Sequence, residues 1–350
     1  MDLADFAFNL PEELIAQEPV VGGRDQSRLM VLDRKLGSIQ DRSFFELTSL
    51  LKAGDVLVFN NSRVLPARLR GEKEPTGGKV ELLLLHRQDD ESEREVWECM
   101  IRSRNTKVDQ SITFVGDRDL KGRVIDRASG DTWFVEFNQQ GQIFRESLRE
   151  LGEMPIPPYI KAPTLSEPEL RERYQTVYAE NEGSAAAPTA GLHFTDLLLD
   201  ELSERGIELV PITLHVGLGT FSPVRVDDIS NHKMHSEYAV ITEQSAQRIN
   251  QAKATGRRIV AVGTTTVRTL ESFVKDGQVV ADKRWTDIFI TPGYDFKIVD
   301  AMITNFHLPH STLLMLVSAF AGTEFIQETY RHAIDQQYRF YSFGDAMLIE

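Results

Sequence analysis

The sequence predicts an α/β protein, a mainly parallel sheet flanked by helices, into which a small β-barrel is inserted. Three observations predict it. The first is "GDVLVFNNSR", a continuous apolar run that stops abruptly at polar residues, as a strand buried on both faces does. The second is a stretch from about Arg68 to Glu150 where short β-rich runs follow one another without long helices. The third is the return of strand–helix alternation after a proline-rich connection, "GEMPIPPYIKAP".

Within the middle stretch, "KVELLLLH", "EVWECMIRS", "SITFVG", "GRVIDRA" and "TWFVEF" read as strands. Gly77-Gly78, "DDESERE", Gly116-Asp117 and Gly130-Asp131 separate them as turns. Beyond the connection, Tyr174 and Tyr178 have the spacing of one helix face. Thr195 is placed to cap a helix over "DLLLDEL", and Gly206 to stop it. "IELVPITLHVG" reads as a strand, and "EQSAQRINQAKA" as a helix with Thr242 as its cap and Gly256 near its end. Next come a strand "RRIVAVG", a helix "TTTVRTLESFV", strands in "DIFITPG" and "DAMITNFHL", and a very apolar helix "STLLMLVSAFAG". The simplest division is residues 1–66 with 153–350 as one discontinuous α/β domain, and 67–152 as the inserted barrel.

Composition narrows the function. The chain has 350 residues, one cysteine and a formal charge of −14. A single Cys99 allows no intrachain disulfide and no multi-cysteine metal site. The amino terminus lacks a basic-then-apolar leader pattern, and no apolar run is long enough to span a bilayer. Cytoplasmic placement without membrane contact is the expectation. The acidic balance argues against a bulk nucleic-acid binder. It is uneven, however. Residues 68–150 carry only −2, and "MIRSRNTKV" sets Arg102, Arg104 and Lys107 on a stretch without acids.

Several strands end in small, polar residues, and ligands of open α/β sheets bind at those ends. "NNSR" supplies Asn60, Asn61, Ser62 and Arg63. "PTAGLHF" supplies Thr189, Gly191 and His193 at the approach to a helix. "LHVGLGTF" supplies His215, Gly217, Gly219 and Thr220, with too few glycines for a dinucleotide fingerprint. "VGTTTVR" supplies Thr264, Thr265, Thr266 and Arg268 at a helix start suited to an anion or a sugar hydroxyl, although plain threonine capping explains it equally well. "NFHLPH" supplies Asn305 and His307. "HKMHSEY" adds His232 and His235, whose spacing alone does not make a metal site, and no metal is expected. These patterns indicate an enzyme for a polar, nucleoside-like ligand and leave its reaction open.

The stretches "GDVLVFNNSRVLPARL", "GEMPIPPYI", "YQTVYA", "AAPTAGLHFT", "TLHVGLGTFSPV", "HKMHSEY", "VGTTTVRTLES" and "TNFHLPHSTLLMLVSAFAG" together resemble the S-adenosylmethionine:tRNA ribosyltransferase-isomerases of queuosine biosynthesis, nearly end to end. The resemblance implies an α/β domain with an inserted barrel. It implies that S-adenosylmethionine, a co-substrate and not a bound cofactor, gives its ribosyl group to 7-aminomethyl-7-deazaguanine at the tRNA wobble position. Epoxyqueuosine-tRNA, adenine and methionine would be the products. That chemistry needs proton transfers near neutral pH, which makes His193 a candidate base and His215 and His235 candidates for acid or hydroxyl anchor. The segments at Asn60–Arg63, Thr189, Gly191, Gly217–Thr220, Thr264–Arg268, Asn305 and His307 are the expected substrate contacts. Arg68, Arg102, Arg104 and Lys107 are the expected tRNA contacts. A monomer is the starting expectation. The rival readings are an S-adenosylmethionine-dependent methyltransferase, resting on "VGLGTF", a metal-dependent hydrolase, resting on the histidines, and a non-catalytic RNA-binding module.

Overall fold

The computed structural model describes residues 2–350 except 89–93, 129–130, 158, 162–163, 218–225 and 227. Nine strands form one sheet. In spatial order they are Asp282–Thr286, Glu237–Ile241, Glu208–Leu214, Val56–Asn60, Ile259–Val262, Ala301–Asn305, Ala346–Ile349, Arg28–Asp33 and Ser38–Ser43. The four strands from Glu208–Leu214 to Ala301–Asn305 run parallel to their neighbours. Outside this centre the pairing is antiparallel, except that Ala346–Ile349 runs parallel to Arg28–Asp33.

The centre is covered on both faces, and the sequence alternation shows how. Val56 and Val58 face one apolar layer, with Ala246 and Ile249 of helix Glu243–Ala254 and Val267 and Leu270 of helix Thr264–Ser272. Leu57 and Phe59 face the other, with Leu198 and Leu202 of helix Asp196–Glu204. A strand buried on both sides has no polar position to spare, so it reads as an unbroken apolar run. The capping residues act as their sequence suggests. Thr195 accepts from the Leu198 amide, Thr242 from Ser245 and Ser311 from Leu314. Among the described residues no helix is long and apolar enough to cross a membrane.

Six antiparallel strands close into a barrel in the order Thr132–Phe137, Glu95–Arg102, Gly78–Arg87, Arg68–Lys73, Ser111–Phe114 and Lys121–Arg127. Leu82, Cys99, Phe114 and Val135 fill it, and Phe144 and Leu148 from helix Gly141–Leu151 pack against that core.

Two local expectations are corrected. Tyr174 and Tyr178 do not share a helix: helix Glu167–Arg173 ends at Tyr174, which is fully buried, and Tyr178 packs on Phe59 with ring centroids 4.3 Å apart. The edge strand is Asp282–Thr286, not "DIFITPG". The apolar residues Ile288 and Ile290 are irregular chain that packs against the core, whereas an edge strand tolerates charge.

Candidate functional site

A cavity opens at the carboxyl ends of the parallel strands, enclosing about 760 Å³ of empty space including its mouth. The strand Ile259–Val262 delivers Gly263, Thr264 and Thr265 to it. The strand Ala301–Asn305 delivers Thr304, Asn305 and His307. Val216 follows strand Glu208–Leu214, and Pro188 and Thr189 come from the 3-10 turn Thr189–His193 and its cap. Tyr159, Tyr341 and Ser342 close the remaining side. Three strand ends thus meet in one place because parallel strands all finish on the same edge.

The threonines at the head of helix Thr264–Ser272 divide their work. Thr266 donates to the Val262 carbonyl at 2.6 Å, and Thr269 to Thr265 at 2.9 Å. No threonine side chain caps this helix; its N-cap is Gly263, with φ +86°. Thr264 and Thr265 line the cavity, and the buried Thr265 hydroxyl has no partner. Amides at a helix start lack intrahelical acceptors, so this corner presents donors to a carboxylate or a sugar hydroxyl.

Asn305 is fixed through its amide nitrogen, which donates to the Tyr341 carbonyl at 2.8 Å. Tyr341 itself holds φ +77°, an uncommon conformation for a bulky residue. Its carbonyl therefore meets Asn305 from a strained turn. Asn305 Oδ1 and His193 Nε2 are both buried without a hydrogen-bond partner. His193 stacks on Phe44, ring centroids 4.9 Å apart, and its Nδ1 lies 2.7 Å from Ser27 Oγ. Burial pushes the imidazole down to about 4, and Asn305 beside it offsets only part of that. His307, whose Nε2 lies 2.9 Å from Thr304 Oγ1, is pushed down to about 3 by burial. Both rings are therefore neutral at physiological pH.

These two histidines set a pH dependence. The folded pKa of His193 lies below its value of about 6.5 in an unfolded chain. Between those values the unfolded chain binds a proton that the fold excludes, so stability falls as pH drops through the window. For His193 the loss is on the order of 3 kcal/mol between pH 6.5 and about 4. Equilibrium denaturation of His193→Gln at several pH values should show a flatter acid slope than the parent. An identical slope would contradict this assignment.

The other expected contacts are placed elsewhere. Asn60 accepts from the Ser62 and Leu214 amides and donates to the Leu214 carbonyl at 2.9 Å, tying two strand ends together. Asn61 is occupied by Asn181, Thr213 and Glu180, and Ser62 accepts from Ser184 at 2.8 Å. Arg63 is exposed and donates to the Ala179 carbonyl at 3.3 Å. None of these four lines the cavity. Gly191 packs under Tyr178, where a Cβ would come within 2.1 Å of the hydroxyl, so its small size serves that packing. Gly217 donates its amide to Glu237 at 2.9 Å, and Glu237 is paired with the buried Arg268. Arg268 thus forms a buried ion pair and does not line the cavity. Gly219 and Thr220 lie outside the described residues.

The three expected catalytic histidines are not gathered. His193 sits behind Asn305. His215 leans on Gly183, where a Cβ would come within 2.7 Å of its ring, and burial lowers its pKa. His235 is exposed. Among the described residues no three His, Cys, Asp or Glu side chains assemble as a metal site. Tyr159, Ser342 and Ser27 escaped sequence reading. Tyr159 and Ser342 bond to each other across 183 positions, and Ser27 reaches His193 across 166, so no local pattern marks them.

Of the four expected tRNA contacts, Arg68 donates to the Ile156 carbonyl at 3.2 Å and is half-buried. Arg102, Arg104 and Lys107 are exposed on the barrel, with Arg102 3.5 Å from Glu81.

Comparison with known proteins fits this geometry. Residues 3–349 match the family described as queuosine biosynthesis protein. An S-adenosylmethionine:tRNA ribosyltransferase-isomerase of Desulfitobacterium hafniense is 54% identical over 351 residues, covering 100% of both chains. The crystal structure of an S-adenosylmethionine tRNA ribosyltransferase from Thermotoga maritima, 37% identical, superposes with a TM-score of 0.56, covering 99% of this chain and 100% of that one. The chain belongs to the S-adenosylmethionine:tRNA ribosyltransferase-isomerase family of queuosine biosynthesis.

Proposed function

We propose that this enzyme transfers and isomerises the ribosyl group of S-adenosylmethionine onto the aminomethyl group of 7-aminomethyl-7-deazaguanine at the tRNA wobble position. The products are epoxyqueuosine-tRNA, adenine and methionine. The observation that carries the reading is the cavity itself. It joins a helix start and an amide to neutral imidazole, and among the described residues no lysine or arginine lines it. A sulfonium donor meets no cationic side chain among those described lining residues, while the methionine carboxylate or ribose finds the Thr264 and Thr265 donors.

Chemically, the sulfonium acidifies the 5′ carbon and a base removes that proton; the C1′–N9 bond breaks and adenine leaves with its electron pair and a proton from an acid; the neutral amine attacks the ribosyl group and gives up a proton; and the C5′–S bond breaks, releasing methionine as the epoxide forms. We assign Asn305, His307, Thr264, Thr265 and Thr189 to the donor. His193 would act through Asn305: with Ser27 donating to Nδ1, the neutral ring carries its proton on Nε2, and the two unpartnered atoms, Nε2 and Asn305 Oδ1, would pair when the donor binds. His193 is then a positioning residue, and its low basicity suits that role better than proton abstraction.

The protein would work in the cytoplasm as a monomer, with residues 1–66 and 153–350 as the catalytic domain and 67–152 as the insert. The insert would bring the tRNA through Arg102, Arg104 and Lys107. Reversing Arg102 and Arg104 to Glu should weaken tRNA binding about tenfold at low salt and leave the donor KM unchanged. An unaltered tRNA affinity in a filter-binding titration would remove these residues from the interface.

The function is tested by mixing the protein with S-adenosylmethionine and tRNA bearing the aminomethyl base. Adenine and methionine should appear together, only when that tRNA is present. Release of S-adenosylhomocysteine instead would establish a methyltransferase.

A further inference from the structure

A row of aromatic rings runs from the barrel to the cavity wall. His86, on strand Gly78–Arg87, meets Trp285 edge-on with ring centroids 4.9 Å apart. Trp285 lies 5.5 Å from Tyr238, its direct partner across the sheet edge. Tyr238 lies parallel to His215, 6.2 Å away with 3° between the planes. The next residue, Val216, lines the cavity. Trp285 is 48% exposed on the edge strand Asp282–Thr286, and the exposed Lys283 points to the same side two residues earlier. On the barrel side, Glu98 bonds His86 at 3.0 Å, and the exposed Met100 and Arg102 continue along its face of strand Glu95–Arg102.

We propose that Trp285 is a stacking platform for an unstacked base of the tRNA acceptor, with Lys283 meeting an adjoining phosphate. This rests on the tRNA-acceptor reading given above. A reacting wobble base must leave its neighbours to enter the cavity, and single-stranded bases are held by aromatic faces flanked by cations. The row offers such a face at Trp285 and joins it through Tyr238 and His215 to the cavity wall at Val216, and Arg102 and Lys283 supply cations at either end of the same seam. If Trp285 merely sealed the seam between sheet and barrel, any apolar side chain of similar bulk would serve.

The test is steady-state kinetics of the full-length enzyme with W285A, W285L and W285F. Alanine and leucine should each raise the KM for tRNA about tenfold, the loss of one base–aromatic stack, while phenylalanine retains most of it. The KM for S-adenosylmethionine should not move. Lys283→Ala should reduce the salt slope of tRNA binding by about one. An unchanged tRNA KM in W285A, wild-type behaviour in W285L, or an equal rise in the donor KM would each overturn the platform. Direct titration of a wobble-containing anticodon stem-loop against the same variants needs no turnover. It decides the stacking surface even if the parent enzyme releases no adenine, in which case the assigned reaction fails and this surface is judged by itself.

Discussion

Arg268→Ala should cost about 3–5 kcal/mol of folding stability, because it removes the guanidinium of a buried ion pair with Glu237. Both side chains of the pair are only 3% exposed. Arg268 also donates from Nε to the Ile288 carbonyl at 3.3 Å, so the irregular segment after the edge strand loses an anchor as well. Urea denaturation measures the loss, and a change below about 1 kcal/mol would contradict a fully desolvated pair. The pair has a second task, since Glu237 also holds the Gly217 amide. An apolar double replacement, Arg268→Met with Glu237→Leu, should therefore recover much of the stability but not the activity. Recovery of both would show that anchoring Gly217 is unimportant.

Asn305→Ala should lower kcat/KM about a hundredfold, the scale expected when one preorganised polar group is removed from a water-excluded site. Its folding penalty should be smaller, about 1–2 kcal/mol for the lost bonds to the Tyr341 and Ser342 carbonyls. The split between large kinetic and small thermodynamic loss is the informative part. If His193 acts through this amide, His193→Gln should slow the parent enzyme but scarcely slow the Asn305→Ala enzyme further. Fully additive effects would return His193 to an independent role, including that of a base.

These expectations also show which parts of the molecule the sequence reveals. The central strands are legible because burial on two faces leaves "DVLVF" and "IVAV" no polar positions, and the cavity corner at Thr264 and Thr265 follows from the strand that precedes it. The caps at Thr195, Thr242 and Ser311 are legible because capping is local. The edge strand Asp282–Thr286 is not. Its charged residues satisfy an exposed edge, while the more strand-like "DIFI" owes its apolar character to packing. The polar ends of strands look alike in sequence, whether they face a ligand or one another. "NNSR" is spent on joining strand ends and "GTT" on the cavity, and only the fold separates the two. The histidines are hard to read for a similar reason. Their residue type suggests one acid–base cluster, but His193 is buried beside Asn305, His215 ends an aromatic row and His235 is exposed.

The most direct measurement follows two labels through one reaction. S-adenosylmethionine carrying heavy carbon either in its ribose or in its methyl group is incubated with the enzyme and tRNA bearing the aminomethyl base, and the modified nucleoside is weighed. The account predicts that the ribose label enters the tRNA, one adenine appears per ribosyl group transferred, and the methyl label leaves in methionine. Methyl label in the tRNA, or ribose label remaining with adenine, would contradict it.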